Sequence, residues 1–80
     1  MSFYLYDGEN RQRFSESAQR QLDNLQERFG AVEIRELTAS SEWCVRITQV
    51  DAEGERLPLA ALGDTIEDAA SRLIRISQAF

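Results

Sequence analysis

Three features of the chain carry groups that could do chemistry: carboxylates at Asp51, Glu53 and Glu55, a second set at Asp64, Glu67 and Asp68, and one thiol at Cys44. Acids on alternate residues, as in Asp51-Ala52-Glu53-Gly54-Glu55, offer the oxygen ligands that hard cations prefer. This segment lacks the length and the later Glu of a calcium loop, so it reads as a solvated hairpin turn. The second set lies in Gly63-Asp64-Thr65-Ile66-Glu67-Asp68-Ala69-Ala70 and fits the entrance to a helix. Thr65 or Asp64 caps, Glu67 or Asp68 follows at capping-box spacing, and the acids meet the positive end of the helix dipole. A capped helix still presents its acids. Together the two sets could form acidic rims that imitate nucleic-acid phosphates or grip a basic groove. Cys44 needs a neighbouring cation to be reactive. Arg46 stands two residues on, on the same strand face. An inert thiol is the expectation.

Much chemistry is excluded. There is no histidine, so Ser-His-Asp and Cys-His arrangements are absent. One cysteine cannot build a Cys/His zinc site. Gly8, Gly30, Gly54 and Gly63 are isolated turn residues, not a phosphate-cradling loop. An enzyme would have to run on carboxylates, Arg, Tyr or Cys44, with two acids converging in a pocket. The expectation is a non-enzymatic chain without a metal or other cofactor.

Charge narrows the partner. Nine basic residues, all Arg, stand against fourteen acids, for a net charge of −5. Binding to phosphate backbones depends on positive charge that displaces counterions, so this balance argues against nucleic acid. It fits a protein with a basic surface. Nucleic-acid binding, the alternative, would need Arg11, Arg13, Arg35 and Arg46 gathered on one face. A single cysteine points to a reducing compartment. The N-terminus has no signal-peptide pattern and no stretch approaches the ~20 apolar residues of a membrane span. Cytoplasmic localisation is expected.

The elements that must position these groups follow from periodicity. Eighty residues are read as a single domain, 1–80. Phe3-Tyr4-Leu5-Tyr6 suits a short strand. Tyr4 and Tyr6 share one of its faces, as a domain rim or a partner surface. Asp7 to Asn10 is a turn, and residues 11–14 fit either a returning strand or an early helix. Ser15 caps a helix whose apolar stripe is Phe14, Ala18, Leu22, Leu25 and Phe29, within about 80° of arc. Gly30 ends it. Val32 and Ile34 alternate as one strand, and Trp43, Val45 and Ile47 as the next, with Trp43 expected in the core. Leu57 and Leu59 begin another, which Pro58 places at an edge or keeps short. Gly63 breaks that strand. The last helix has a wide stripe, Ile66, Ala69, Ala70, Leu73, Ile74, Ile76 and Phe80, with Asp68 and Arg72 spaced to pair. The fold class is α+β: two helices on one face of a three- to four-stranded antiparallel sheet, in β-α-β-β-β-α order. Ile74 and Ile76 sit on opposite margins of the wide stripe. An exposed margin on so small a domain predicts a homodimer or a stable protein complex.

The stretch WCVRITQVDAEGERLPLAALGDTIEDAASRLI, residues 43–74, resembles the end of the double-stranded-RNA-binding fold. There a hairpin leads through a glycine into a helix with small residues on its inner face. Its GDTIEDA piece is similar to the strand-to-helix junction of HicB-type antitoxins, where a Gly-x-Thr-x-x-Glu-Ala pattern is common; Asp68 stands at the Glu. The resemblance implies topology. It implies no functional residues, because the RNA-binding lysines are replaced here by Asp64, Glu67 and Asp68. The expected function is a small acidic interaction module, a regulator, inhibitor or antitoxin-like subunit of the kind phages and mobile elements encode. It would occlude a basic partner surface, with Asp51, Glu53, Glu55, Asp64, Glu67, Asp68, Tyr4 and Tyr6 facing the partner.

Overall fold

A computed structural model of the chain describes residues 2–78, and side chains from residue 4. The elements are β1 (Ser2–Leu5), a 3-10 turn (Arg11–Arg13), α1 (Glu16–Phe29), β2 (Glu33–Leu37), β3 (Glu42–Val50), β4 (Arg56–Gly63) and α2 (Ile66–Gln78). The strands form one antiparallel sheet in the order β1-β2-β3-β4. Both helices lie on one of its faces, as the pattern predicts: α2 runs over β3 and β4, and α1 packs beside α2. Pro58 falls on the edge strand β4, where its missing N–H costs no ladder bond. Among the described residues no helix is long and apolar enough to cross a membrane.

The core lies where the stripes meet the inner sheet face. Leu22 and Leu25 of α1, Leu73 of α2, and Ile34 and Val45 of the sheet are wholly buried. Removing one such leucine side chain costs about 2–5 kcal/mol, much of what a small domain holds in reserve. The wide stripe of α2 is covered unevenly. Ala69, Ala70 and Leu73 are buried and Ile74 is half-buried, while Ile76 on the other margin is 38% exposed. Phe80 lies outside the described residues.

The helix ends are capped by the residues the sequence marks. Ser15 Oγ accepts from the Ala18 amide at 3.2 Å, and Gly30 closes α1 at φ 84°. Thr65, rather than Asp64, caps α2: its Oγ1 accepts from the Asp68 amide at 3.1 Å. The Ser15 hydroxyl also donates to the Glu67 carboxylate, tying the starts of the two helices together.

Three local expectations are revised. Tyr6 lies beyond β1, although its amide still donates to the Val32 carbonyl at 2.9 Å. Residues 11–13 are neither strand nor early α-helix but a separate 3-10 turn, after which Phe14 returns to extended backbone. Arg72 turns from Asp68 and donates to the Leu62 carbonyl at 3.0 Å, so the helix is latched to its neighbouring strand. Gly63 ends β4 as its last residue, where the sequence marks the break. It is needed for closeness: a Cβ there would stand 2.5 Å from the Ala69 nitrogen and 2.8 Å from the Asp68 Cβ.

Gly63→Ala therefore has to push α2 off the sheet. It is expected to cost about 1–3 kcal/mol, a fall in melting temperature of roughly 4–8 °C per kcal/mol. Gly8→Ala, with nothing within 4 Å of the added carbon, is the control and should melt close to the parent. Equal melting temperatures for the two variants would refute the close-approach argument.

Candidate functional site

The two acid sets stand at opposite ends of β4. Eight residues of strand separate them, about 26 Å at ~3.3 Å per residue, so they do not converge. Asp51 is committed to its own turn, where Oδ1 accepts from the Glu53 and Glu55 amides at 2.9 and 2.8 Å. Glu53 and Glu55 point into solvent. Glu67 is held by Ser15, while Asp64 and Asp68 are exposed at the start of α2. Among the described residues no three His, Cys, Asp or Glu side chains are grouped so as to hold a metal ion.

The tyrosines part company. Tyr6 is 3% exposed and belongs to the core, so it leaves the accessible surface on which the sequence placed it. Its ring lies 5.8 Å from that of Phe14, and its hydroxyl donates to Asp23 Oδ1 at 2.6 Å. Arg11 closes the group from outside with Nη2 2.7 Å from Asp23 Oδ2. Hydrogen bonds from Arg11 and then Tyr6 hold the Asp23 carboxyl below the usual carboxylate range. Burial pushes the Tyr6 phenol up to about 12, with the Asp23 hydrogen bond and charge adding to it. Sequence reasoning did not find this triad, because its members are separated along the chain and only the fold joins them.

Tyr4 remains half-exposed, and the structure gives it company. Tyr4, Phe14, Trp43 and Ile66, with Arg13 and Asn10, line an open groove of about 270 Å³ at the end of the helical layer. Tyr4 and Trp43 come from the inner sheet face, where they pair with Ile34 and with Glu36 and Gly63. Trp43 thus packs on the core with one side and lines the groove with the other. The remaining wall is the β1–α1 connection, fixed by side chains: Asn10 Nδ2 donates to the Leu5 carbonyl at 2.6 Å, and Asp7 Oδ1 accepts from the Asn10 and Glu9 amides. Ile66 is the first residue of α2, so the acids Asp64, Glu67 and Asp68 flank the groove in sequence on either side of it. Large, stiff aromatics beside an arginine are the side chains that most often anchor protein partners.

Cys44 lies on the sheet face opposite Trp43 and Val45, as its alternation with them predicts, and among the described residues no second layer covers that face. Arg46 shares that face, and Arg35 is its cross-strand neighbour. These three, with Glu33, Pro58 and Ala60, line a shallow hollow of about 360 Å³. Arg11 and Arg13 belong to the helical side, so the four arginines that nucleic-acid binding would need do not gather.

Compared with known families, curated proteins and solved structures, the chain matches no family, no curated protein and no solved structure.

The triad sets a pH dependence. A carboxyl whose pKa is lowered on folding contributes stability above its unfolded value, about 3.9, and loses it as pH falls through the folded value. Asp23→Asn should therefore melt below the parent at neutral pH, with the gap closing in acid below about pH 4. Tyr6 has the opposite sign: its contribution is complete below about pH 10 and is lost as pH rises through about 12. Thermal melts of parent and Asp23→Asn across the acid range test the first part. A gap that persists undiminished in strong acid would assign the effect to shape instead of charge.

Proposed function

We propose that this chain is a non-enzymatic protein-interaction module that binds a basic, apolar-tipped segment of a partner and blocks the partner's own use of it. The observation that carries this reading is the aromatic groove, whose lining includes Ile66, the first residue of α2, with Asp64 and Asp68 exposed two residues to either side of it in sequence. A large apolar side chain entering between Tyr4 and Trp43 would gain contact area and shed water. Lys or Arg residues flanking it would meet Asp64 and Asp68, while Glu67 stays committed to Ser15. Charge complementarity of this kind sets orientation and association rate more than affinity. Asp51, Glu53 and Glu55 lie too far along β4 to touch the same short segment, so they act only on a partner large enough to span the sheet. The mechanism is occlusion: a regulator or inhibitor covers a basic surface that another ligand would use.

Trp43 is the only tryptophan in the chain, so its fluorescence reports directly on the groove. Titration with short peptides carrying one large apolar residue between lysines or arginines should change that emission. Peptides with glutamates in place of the basic residues, and duplex RNA or DNA at low salt, should not. Asp64→Lys with Asp68→Lys should weaken the basic peptides roughly tenfold, in keeping with two rim charges reversed. Equal binding of acidic and basic peptides would defeat the charge part of this reading, and silence with both would defeat the groove.

A further inference from the structure

Among the described residues nothing covers the sheet face opposite the helices, and its side chains fall into rows fixed by the strand register. Arg35, Cys44 and Leu62 form one row, and Glu33, Arg46 and Ala60 form the next. Glu42 precedes the first row on β3, and Thr48 follows the second. On a chain of net charge −5, this face is different in kind: it mixes arginine and glutamate with exposed leucine. Leu62 is 43% exposed and Leu5 50%. Beside Leu62, the hollow containing Ala60 and Pro58 lacks a side chain to fill it.

The pattern is complementary to itself. A two-fold axis lying in the contact plane, across the strands and between the two rows, exchanges one row for the other. Arg35 then stands over Glu33 of the second copy, Cys44 over Arg46, Leu62 over Ala60, and Glu42 over Thr48. No like charges oppose each other, and the protruding leucine meets the hollow. Within one chain Arg46 Nε already lies 3.7 Å from Glu33. In the pair, each Glu33 carboxylate would sit between Arg46 of its own chain and Arg35 of the other. A two-fold interface must match its own image in this way, and sheets stack face to face at about 10 Å with strands nearly aligned.

We propose that the chain pairs with a second copy of itself, face to face through this open side of the sheet, with Glu33 and Arg35 forming reciprocal ion pairs. The arrangement uses the side of the molecule away from the aromatic groove and does not depend on the function proposed for it. It also differs from the contact expected along the margin of α2, where among the described large apolar side chains only Ile76 is exposed.

The test is a charge exchange read by analytical ultracentrifugation. The parent should be a dimer. Glu33→Arg sets arginine against arginine, and Arg35→Glu sets glutamate against glutamate. Each should raise the dimer dissociation constant by about tenfold or more, while circular dichroism stays unchanged. Mixing the two variants restores opposite charges at both contacts, so a heterodimer should form with near-parental affinity, and the double variant should recover as a homodimer. Asp68→Lys, on the groove side, should leave association unchanged. A parent that is monomeric at its highest soluble concentration overturns the proposal. So does a dimer indifferent to Glu33→Arg and Arg35→Glu, or one whose mixed variants fail to associate.

Discussion

The approach of two backbones at Gly63 is the constraint from which the rest of the molecule follows. The last residue of β4 has no Cβ, so the first turn of α2 can descend onto it until the Ala69 nitrogen stands 2.5 Å from where that carbon would be. Ala69 and Ala70 extend the closeness along the helix, because small side chains let helix and sheet meet without a spacer. Once α2 is held over β3 and β4, Leu73 joins Val45 and Ile47 in one buried core, which Leu22 and Leu25 of α1 complete. The Ser15–Glu67 hydrogen bond then fixes the starts of the helices relative to one another. Arg72 reinforces the same junction from outside through the Leu62 carbonyl.

The junction also decides where the charges go. Glu67 is spent on Ser15, and Asp51 on its own turn. Asp23 is spent on Tyr6 and Arg11. What remains available is uneven: acids at the start of α2 beside an aromatic groove, and alternating arginine and glutamate on the bare face of the sheet. A single net charge conceals that division. A partner meeting the helical side and a partner meeting the sheet side encounter surfaces of different charge pattern and different apolarity.

The order of elements was legible because local patterns and tertiary packing agree. The narrow stripe of α1, the alternation in Val32–Ile34 and Trp43–Ile47, and the caps Ser15, Gly30 and Thr65 are local signals that the fold keeps. Tyr6 escaped because alternation assigns a face and not a depth; the extra ladder bond to Val32 and the α1 residue Asp23 carry it into the core. Residues 11–13 escaped because the connection is shaped by Asn10 and Asp7 side chains reaching back to β1, which no periodicity records. The groove was half visible. Tyr4 was marked as a rim or partner-surface residue and Trp43 as core, but nothing in their spacing says that Phe14 and Ile66 join them. The acid sets were visible as residues, and their separation along β4 became visible only once the strand's length was known.

The two surfaces also constrain each other. The groove opens on the helical layer and the self-complementary rows lie on the reverse of the sheet, so occupying one leaves the other clear. A face-to-face pair would carry its two grooves on opposite outer sides, each still lined by Tyr4, Trp43 and Ile66. Two weak grooves held on one rigid body bind a repeated or dimeric partner more tightly than either alone, provided the partner's sites match their separation. A short segment needs only one groove and gains nothing from the pair. If both surfaces act, pairing therefore selects for partners that present the basic, apolar-tipped feature more than once, and it does so without any change to the groove itself.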